Sequence, residues 1–370
     1  MTKAAELAKM GEVLTNSQIG GRRNIIINGG MQVAQRGADN LNITSASGGA
    51  YACDRFKLYL SLGGTAQFDL QQVAEAPNES GLSKSLKLSC DVTDTLTANH
   101  YLFLTYRIEG QDVQHLKKGT SSAESVTLSF WLKSNKATSG QVSLRDNQNL
   151  RMISKTYTVS AADTWQYITL TFDGDTSGIL TNDNANRFAI EFFLDSGTTY
   201  SSGSTITSWG AVSNTDRNAT NFGLVSSTDN YWQITGVQLE IGEQATPFEH
   251  RSFGEELNLC RRYYYHTYGY GNTIGASFNG SYGGMVYFLG TGNHGMAPLT
   301  HQFPVEMRAA PTVTFYGHAG TANRITYWNG SEVTYGTVNK NSSQVTGMSL
   351  GSGTQTEDFY SAGMVAEAEL

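Results

Sequence analysis

Gly236–Tyr265 reads GVQLEIGEQATPFEHRSFGEELNLCRRYYY. Its first part alternates, with Val237, Leu239 and Ile241 on one side and Gln238 and Glu240 on the other, the period-two pattern of a half-buried strand. Pro247 breaks the pattern. From Glu255 to Tyr265 the residues Leu257, Cys260, Arg261 and Tyr264 then recur at three- and four-residue offsets, the period of a helix. The chain on either side is made of strand patterns and Gly/Ser/Thr/Asn turns, so this seam divides one β unit from the next. It predicts a rigid helical neck at 251–270 between a first sandwich at 24–250 and a second at 271–370.

Working outward, the first unit reads as successive strands. Val126, Leu128, Phe130 and Leu132 alternate with Thr127, Ser129, Trp131 and Lys133. Gln166, Ile168, Leu170 and Phe172 alternate with Trp165, Tyr167, Thr169 and Thr171, and Phe188, Ile190, Phe192 and Leu194 with Ala189, Glu191, Phe193 and Asp195. Leu86, Leu88 and Cys90, then Leu102, Leu104, Tyr106 and Ile108, add two more. Many strands separated by turn signals, with no helices between them, define an all-β antiparallel sandwich. No fixed-period repeat appears, which argues against a β-helix or propeller. Beyond the neck, Arg324–Trp328 and Glu332–Thr337 flank Asn329-Gly330, a type I′ hairpin signal. A final strand alternates from Phe359 to Leu370, and a chain end tied into a sheet should be needed for stability.

Composition fits this class. Of 370 residues 15% are charged, 40 are Gly and only 5 are Pro, while 19 Tyr, 16 Phe and 5 Trp argue against disorder. The net charge of −7, with no basic cluster beyond Arg22-Arg23 and Arg261-Arg262, gives no footprint for nucleic acid. Cys53, Cys90 and Cys260 are too few and too widely spaced for a disulfide framework or a zinc site and read as buried thiols. Residues 1–20 lack the apolar core of a signal peptide, and no run reaches transmembrane length, so the expectation is synthesis in a reducing cytoplasm without membrane insertion. Leu7, Met10 and Leu14 recur at helical spacing in residues 1–23; a short helix of this kind needs its stripe covered, by its own domain or by an assembly partner.

Motifs for catalysis are thin. Asp173-Gly-Asp175-Thr-Ser177-Gly178 starts like an EF-hand loop, but its twelfth position is Asn184 instead of Glu and a strand leads into it, so a polar hairpin loop is expected. Gly290-Thr-Gly292-Asn-His-Gly295 matches a phosphate fingerprint, yet Pro298 follows where a helix should start. The seven histidines show no metal-ligand spacing, and nothing resembles a nucleophile elbow, so no catalytic residue is assigned. Glu191 and Asp195, on one register of one strand, form the only suggestive carboxylate pair, read as solvated unless a glycan meets them.

The outward register carries the better signal. Trp131, Trp165, Tyr167 and Phe193 all fall on it, and aromatics there must be covered or used. With Glu191 and Asp195 beside them they form a candidate glycan platform, since sugar C–H faces stack on aromatic rings and hydroxyls bind carboxylates.

Three segments carry a family resemblance. Arg22–Gly37, RRNIIINGGMQVAQRG, followed by Cys53-Asp54-Arg55-Phe56, resembles the opening of a β-sandwich module in tail-fibre and receptor-binding proteins of tailed bacteriophages. The seam resembles that module's close and the start of its helix, and Phe303–Pro311 resembles the first strands of the C-terminal sandwich found in those proteins. The likeness implies a homotrimeric tail fibre in the virion. Its N-terminal segment would attach to tail proteins and its body would bind host surface polysaccharide. Leu7, Met10, Leu14, Leu257 and Tyr264 would be assembly residues. Asn28–Gln32 also resembles the opening strand of jelly-roll carbohydrate-binding modules, which implies a structural Ca²⁺ near Gln32 and Gln238. Gln32 offers an uncharged amide oxygen to a hard cation, so neither metal nor cofactor is expected. A head fibre or capsid decoration protein and a polysaccharide depolymerase are the rival readings.

Overall fold

The structure, a computed structural model, describes residues 22–276, 286–289, 300–327, 332–334, 340–350 and 359–370. Leu7, Met10, Leu14, the Gly290–Gly295 motif and the Asn329-Gly330 turn lie outside them. Before the neck the described residues form β1 (Asp39–Ile43), β2 (Phe56–Ser61), β3 (Gln67–Val73), β4 (Ser85–Val92), β5 (Tyr101–Glu109) and β6 (Val126–Ser134). There follow β7 (Ser139–Asp146), β8 (Arg151–Thr158), β9 (Gln166–Phe172), β10 (Asn186–Ser196), β11 (Gly210–Ala211) and β12 (Tyr231–Ile241). Two antiparallel sheets result, ordered β1-β3-β4-β12-β6-β9 and β11-β8-β7-β10-β5-β2.

The alternation decides what lies between them. β6 turns Val126, Leu128, Phe130 and Leu132 into one core, and β10 turns Phe188, Ile190, Phe192 and Leu194 into it from the other sheet. Phe130 and Phe192 meet edge to face at 5.3 Å. Each fully buried side chain of this size contributes about 1.5–3 kcal/mol of burial, so this inner layer is what holds the jelly-roll-like sandwich together.

The opening segment Asn24–Gln32 departs from the strand expectation. It runs beside β12 without forming a ladder of its own, because side chains take over backbone bonds. Asn24 Nδ2 donates to Val237 O (3.1 Å) and its Oδ1 accepts from Leu239 N (3.1 Å) and Ile26 N (2.9 Å). Asn28 and Met31 sit at φ 61° and 55°, which turns the chain instead of extending it. Gly29 lies so close to β12 that a Cβ there would meet Val237 O at 2.0 Å.

The neck helix spans Phe253–Arg261, capped by Ser252, whose hydroxyl accepts from Glu255 N. It is shorter than the Glu255–Tyr265 pattern implies. Tyr264 belongs to the next strand, β13 (Tyr264–His266), drawn out of the helix by pairing with the final strand. The remaining strands are β14 (Val286–Leu289), β15 (Thr300–Gln302), β16 (Thr312–Tyr316), β17 (Arg324–Tyr327), β18 (Glu332–Thr334), β19 (Lys340–Gln344), β20 (Gly347–Leu350) and β21 (Phe359–Glu367). β21 is the hub: it pairs with β13, β14, β16 and β17, and β18 extends the sheet through β17. β15, β20 and β19 form a separate three-stranded sheet. β17 does pair antiparallel with β18, with Ile325 opposite Val333, a register one residue off that of the expected two-residue turn. Phe303–Pro311, by contrast, is not strand; it is a coil that crosses the joint with Phe303 and Met307 buried.

That joint is built from buried ions. Arg55, at φ 75°, pairs with Glu369, donates to Arg107 O (2.7 Å) and lies 3.4 Å over the Tyr263 ring. Arg262 grips Glu109 with two hydrogen bonds (2.9 and 2.8 Å), and Arg308 donates to Ala368 O, Glu369 O and Asn184 O. Asp54, fully buried, accepts from Gln35 N and Gln35 Nε2. Burial pushes its carboxyl up to about 6, with Arg36 working the other way. Burial also opposes charge on Glu369, but Arg55 and Arg36 outweigh it and hold that carboxyl below its usual range. At the same joint burial pushes His266 down to about 4.

Candidate functional site

The six platform residues do not share one surface. Trp131 and Tyr167 are direct neighbours across β6 and β9, with ring centroids 5.1 Å apart and tilted at 47°. Tyr167 is 44% exposed, one of the few large hydrophobic side chains left in water among the described residues of the first unit. Trp165, just before β9, is half-buried. Phe193, Glu191 and Asp195 belong to β10 in the other sheet, and all three are buried.

Physical reasons separate the two groups. The excursion between β10 and β12, which includes the short helix Thr198–Ser201, folds over the outer face of the second sheet. Arg217 from this excursion lies 4.9 Å over the Phe193 ring and donates to Glu191 Oε2 (2.9 Å), while Arg145 takes Oε1 (3.1 Å). A register shift between Phe193 and Asp195 redirects Asp195, whose carboxylate accepts from Val225 N (2.8 Å) and Asn221 Nδ2 (2.9 Å). Burial pushes the Asp195 carboxyl up despite those bonds. The two carboxylates are therefore internal fasteners rather than a solvated pair.

Covered along β12, the outer face of the first sheet opens toward β6 and β9 and, at the opposite edge, along β1. Gln233, Thr235, Gln238 and Glu240 of β12 point outward yet are buried beneath flanking segments. Thr235 donates to Lys84 O, Gln233 to Glu75, and Thr246 closes on Glu240. Leu82 fills the space above Gly236, where an added Cβ would meet it at 2.9 Å and Trp131 at 3.0 Å. The exposed remainder is a shelf with Tyr167 at its lip and Trp131 behind. Lys133 lies alongside, bonded to Glu75 at 2.6 Å, which holds the Glu75 carboxyl below its ordinary range. It offers the ring faces of Trp131 and Tyr167 and, two residues along β6 from Trp131, the Lys133–Glu75 ion pair.

A second aromatic array escaped the sequence reading. Tyr59, Phe103 and Phe193 stack across β2, β5 and β10 at 5.5 and 4.8 Å, with interplanar angles of 19° and 17°. Phe103 and Phe193 are buried; Tyr59 and neighbouring Tyr101 remain half-exposed, with Lys57 4.6 Å and Arg107 4.9 Å from the Tyr59 ring. The signal was available, since the inward Leu102 and Leu104 place Phe103 outward.

Gln32 and Gln238 do not converge on a cation. Gln32 Nε2 donates to Gly30 O, whereas Gln238 donates to Glu240 and accepts from Glu249 N (2.9 Å). Arg251 supplies the positive charge beside that second network, bridging Glu249, Asn24 O (2.6 Å) and Ile26 O (3.1 Å). No cluster of three or more metal-ligating side chains occurs among the described residues. Leu257 and Tyr264, expected at an assembly surface, are buried within the chain itself: Leu257 joins the first core and Tyr264 stacks under the Arg36 guanidinium at 3.7 Å.

No protein-family model matches this chain, and no curated protein matches it. Among solved structures it is similar to the enzymatically active domain of tailspike protein 4 of bacteriophage CBA120. That match has 16% identity and a TM-score of 0.31, covering 59% of this chain and 21% of the tailspike, so the chain spans about a fifth of its length. It is also similar to a sugar-binding protein of Bacteroides thetaiotaomicron (12% identity, TM-score 0.33, 60% of this chain and 100% of that one). A third likeness is to the family 11 carbohydrate-binding module of Clostridium thermocellum, solved with a mixed-linked tetrasaccharide (14%, 0.28, 57% and 99%). Likenesses at these scores carry no argument about function, which rests on the chain's own residues.

Proposed function

We propose that this chain is a non-catalytic glycan-binding protein of a tailed bacteriophage particle, a tail fibre that meets host surface polysaccharide through the Trp131–Tyr167 shelf. The observation that supports it is the Trp131–Tyr167 ring pair on the outer face of the first sheet, with Tyr167 exposed and Trp131 half-buried beside it. A ring left in water at 44% exposure costs burial energy that a sugar face recovers. The resemblance of Arg22–Gly37 and of the neck to phage fibre modules supplies the biological setting. Attachment through residues 1–23 and a homotrimeric state belong to the same reading. Weak contacts repeated over several subunits reach useful avidity without tight single sites.

Loss of one ring of the pair should weaken binding of an oligosaccharide about 2- to 10-fold, the worth of a single aromatic contact. Titration calorimetry or glycan-array binding of Tyr167→Ala measures this, and unchanged affinity places the site elsewhere. Tyr59 and Tyr101, flanked by Lys57 and Arg107, are the second face to examine, and Tyr59→Ala in the same assay separates the two. Incubation with polysaccharide should release no reducing ends; release would make the chain a depolymerase. Labelling of intact particles should mark the tail, and signal on the capsid alone would favour a decoration protein.

A further inference from the structure

The glycan reading makes no use of Lys118, whose surroundings are arranged for chemistry. The chain turns inward after the 3-10 segment Gly110–Leu116, with Lys117 at φ 50°. The Lys118 side chain is 4% exposed, Asp146 0% and Asp175 2%. Lys118 Nζ lies directly against Asp146 Oδ2 and 2.9 Å from Asp175 Oδ2, and it also donates to Ser177 O (2.9 Å) and Gly178 O (2.8 Å). Trp209 closes the site, its ring 5.3 Å from the nitrogen. Asp173–Gly178, expected to be a polar hairpin loop, instead connects β9 and β10 of different sheets, and its Asp175 carboxylate, Ser177 O and Gly178 O line the buried site.

Asp146 is held as an acyl group would be. Its Oδ1 accepts from two backbone donors, Gln148 N (2.9 Å) and Asn149 N (2.8 Å), while Asn149 Nδ2 donates to Oδ2 (2.8 Å). Paired N–H groups on one oxygen are the arrangement that stabilises a tetrahedral oxyanion. Asp175 is fixed by Arg151 Nε (2.8 Å), Arg151 Nη2 (3.0 Å) and Ser177 N (3.0 Å). Burial pushes its carboxyl up, but the bonds from Arg151 and Lys118 more than offset this and hold it below its usual range. A desolvated amine, a polarised carboxyl and a base within reach of the amine's proton are the parts of acyl transfer, brought together by folding alone.

We propose that Lys118 and Asp146 condense into an intramolecular amide bond, with Asp175 relaying the protons. Asp175 takes one proton from the ammonium and passes it to Asp146 Oδ2, and the freed amine attacks Asp146 Cγ, placing negative charge on the oxygen held by Gln148 N and Asn149 N. A C–N bond forms and the C–Oδ2 bond breaks. That oxygen leaves as water with two of the three ammonium hydrogens, the third remains on the amide nitrogen, and Asp175 ends as it began. No oxidant, reductant or cofactor enters. The bond ties the crossover leading into β6 to the end of β7, a covalent fastening in a chain whose three cysteines are separate buried thiols.

Mass spectrometry of the denatured full-length chain tests this directly. The expected result is a mass lower than that of the sequence by one water molecule, and a proteolytic digest containing a branched peptide that joins Lys118 to Asp146. Lys118→Arg and Asp146→Ala should each restore the full mass. Asp175→Asn, checked for folding by circular dichroism, should leave most chains unlinked. A wild-type chain at full sequence mass overturns the proposal, as does a water loss that maps to any other residue. A folded Asp175→Asn chain linked to the wild-type extent overturns the role of Asp175. The wild-type measurement stands even if a variant fails to fold.

Discussion

Arg55 links the first sandwich to the end of the chain through a buried ion pair. It adopts a left-handed backbone, is 3% exposed, and joins the first sandwich to Glu369 beyond the neck while lying on Tyr263. Removing it leaves a carboxylate buried without its main partner. Arg55→Ala should therefore cost about 3–5 kcal/mol in urea unfolding, the usual cost of breaking a buried pair. A cost below 1 kcal/mol, in the range of a surface pair, would show that water reaches Glu369. Residue-scale reading of the candidate site was partly legible. The alternation placed Trp131, Tyr167 and Phe193 outward correctly, since their neighbours fill the core. It could not show that outward means buried for Phe193, because Arg217 lies 24 residues further along and covers it through tertiary contact.

At the scale of elements, β12 depends on an irregularity. Its register against β6 shifts between Thr235 and Gln238, with Gly236 at φ 62° beneath Leu82 and Trp131. Gly236→Ala should destabilise by about 1–2 kcal/mol for the left-handed backbone alone, and more for the contacts its Cβ would make. Because those contacts include Trp131, the variant should also alter tryptophan fluorescence and weaken glycan binding. A variant as stable as wild type would mean that the bulge relaxes. Strong alternation made β5, β6, β9, β10 and β12 readable. The β7–β8 hairpin was not, because RMISKTYT sets Ile153 and Tyr157 on one face with Arg151 and Lys155, and SGQVSLRD offers only Val142 and Leu144 as large apolar residues. The reason is visible in the fold: their outer sides are covered too, with Ser143 and Ser154 hydrogen-bonded to each other in the interior. In the neck, Tyr263 to Tyr265 fit a helix by spacing, and pairing of Tyr264–His266 with β21 overrides that period.

For the whole molecule, the joint predicts a pH dependence. The Asp54 carboxyl is raised from 3.8 to about 6, so the folded chain holds its proton more tightly, and this group adds stability as pH falls from above 6 to below 3.8. His266 is lowered from 6.5 to about 4, so it removes stability as pH falls through that interval. Glu369, lowered from 4.5, contributes stability that is present above 4.5 and lost in more acid solution. Between about pH 6 and pH 4 the first two oppose each other. Relative to wild type, His266→Gln should gain stability progressively over that interval, read from urea midpoints. Parallel profiles for the two chains would remove His266 from the account. The same joint explains why strands of the first unit were legible and the connection to the second was not. Those strands follow from local alternation, whereas the junction is made by Arg36, Arg55, Arg262 and Arg308 reaching partners far along the chain.

The central claim is that this fold presents a glycan-binding shelf at Trp131 and Tyr167. Its most direct test is adsorption of the purified chain to host cells, with surface glycans intact or stripped, for wild type and the Trp131→Ala/Tyr167→Ala double variant. The account predicts adsorption that requires the glycans and is lost in the double variant while its circular dichroism stays that of the wild type. Full adsorption by the folded double variant, or adsorption to stripped cells, would contradict it.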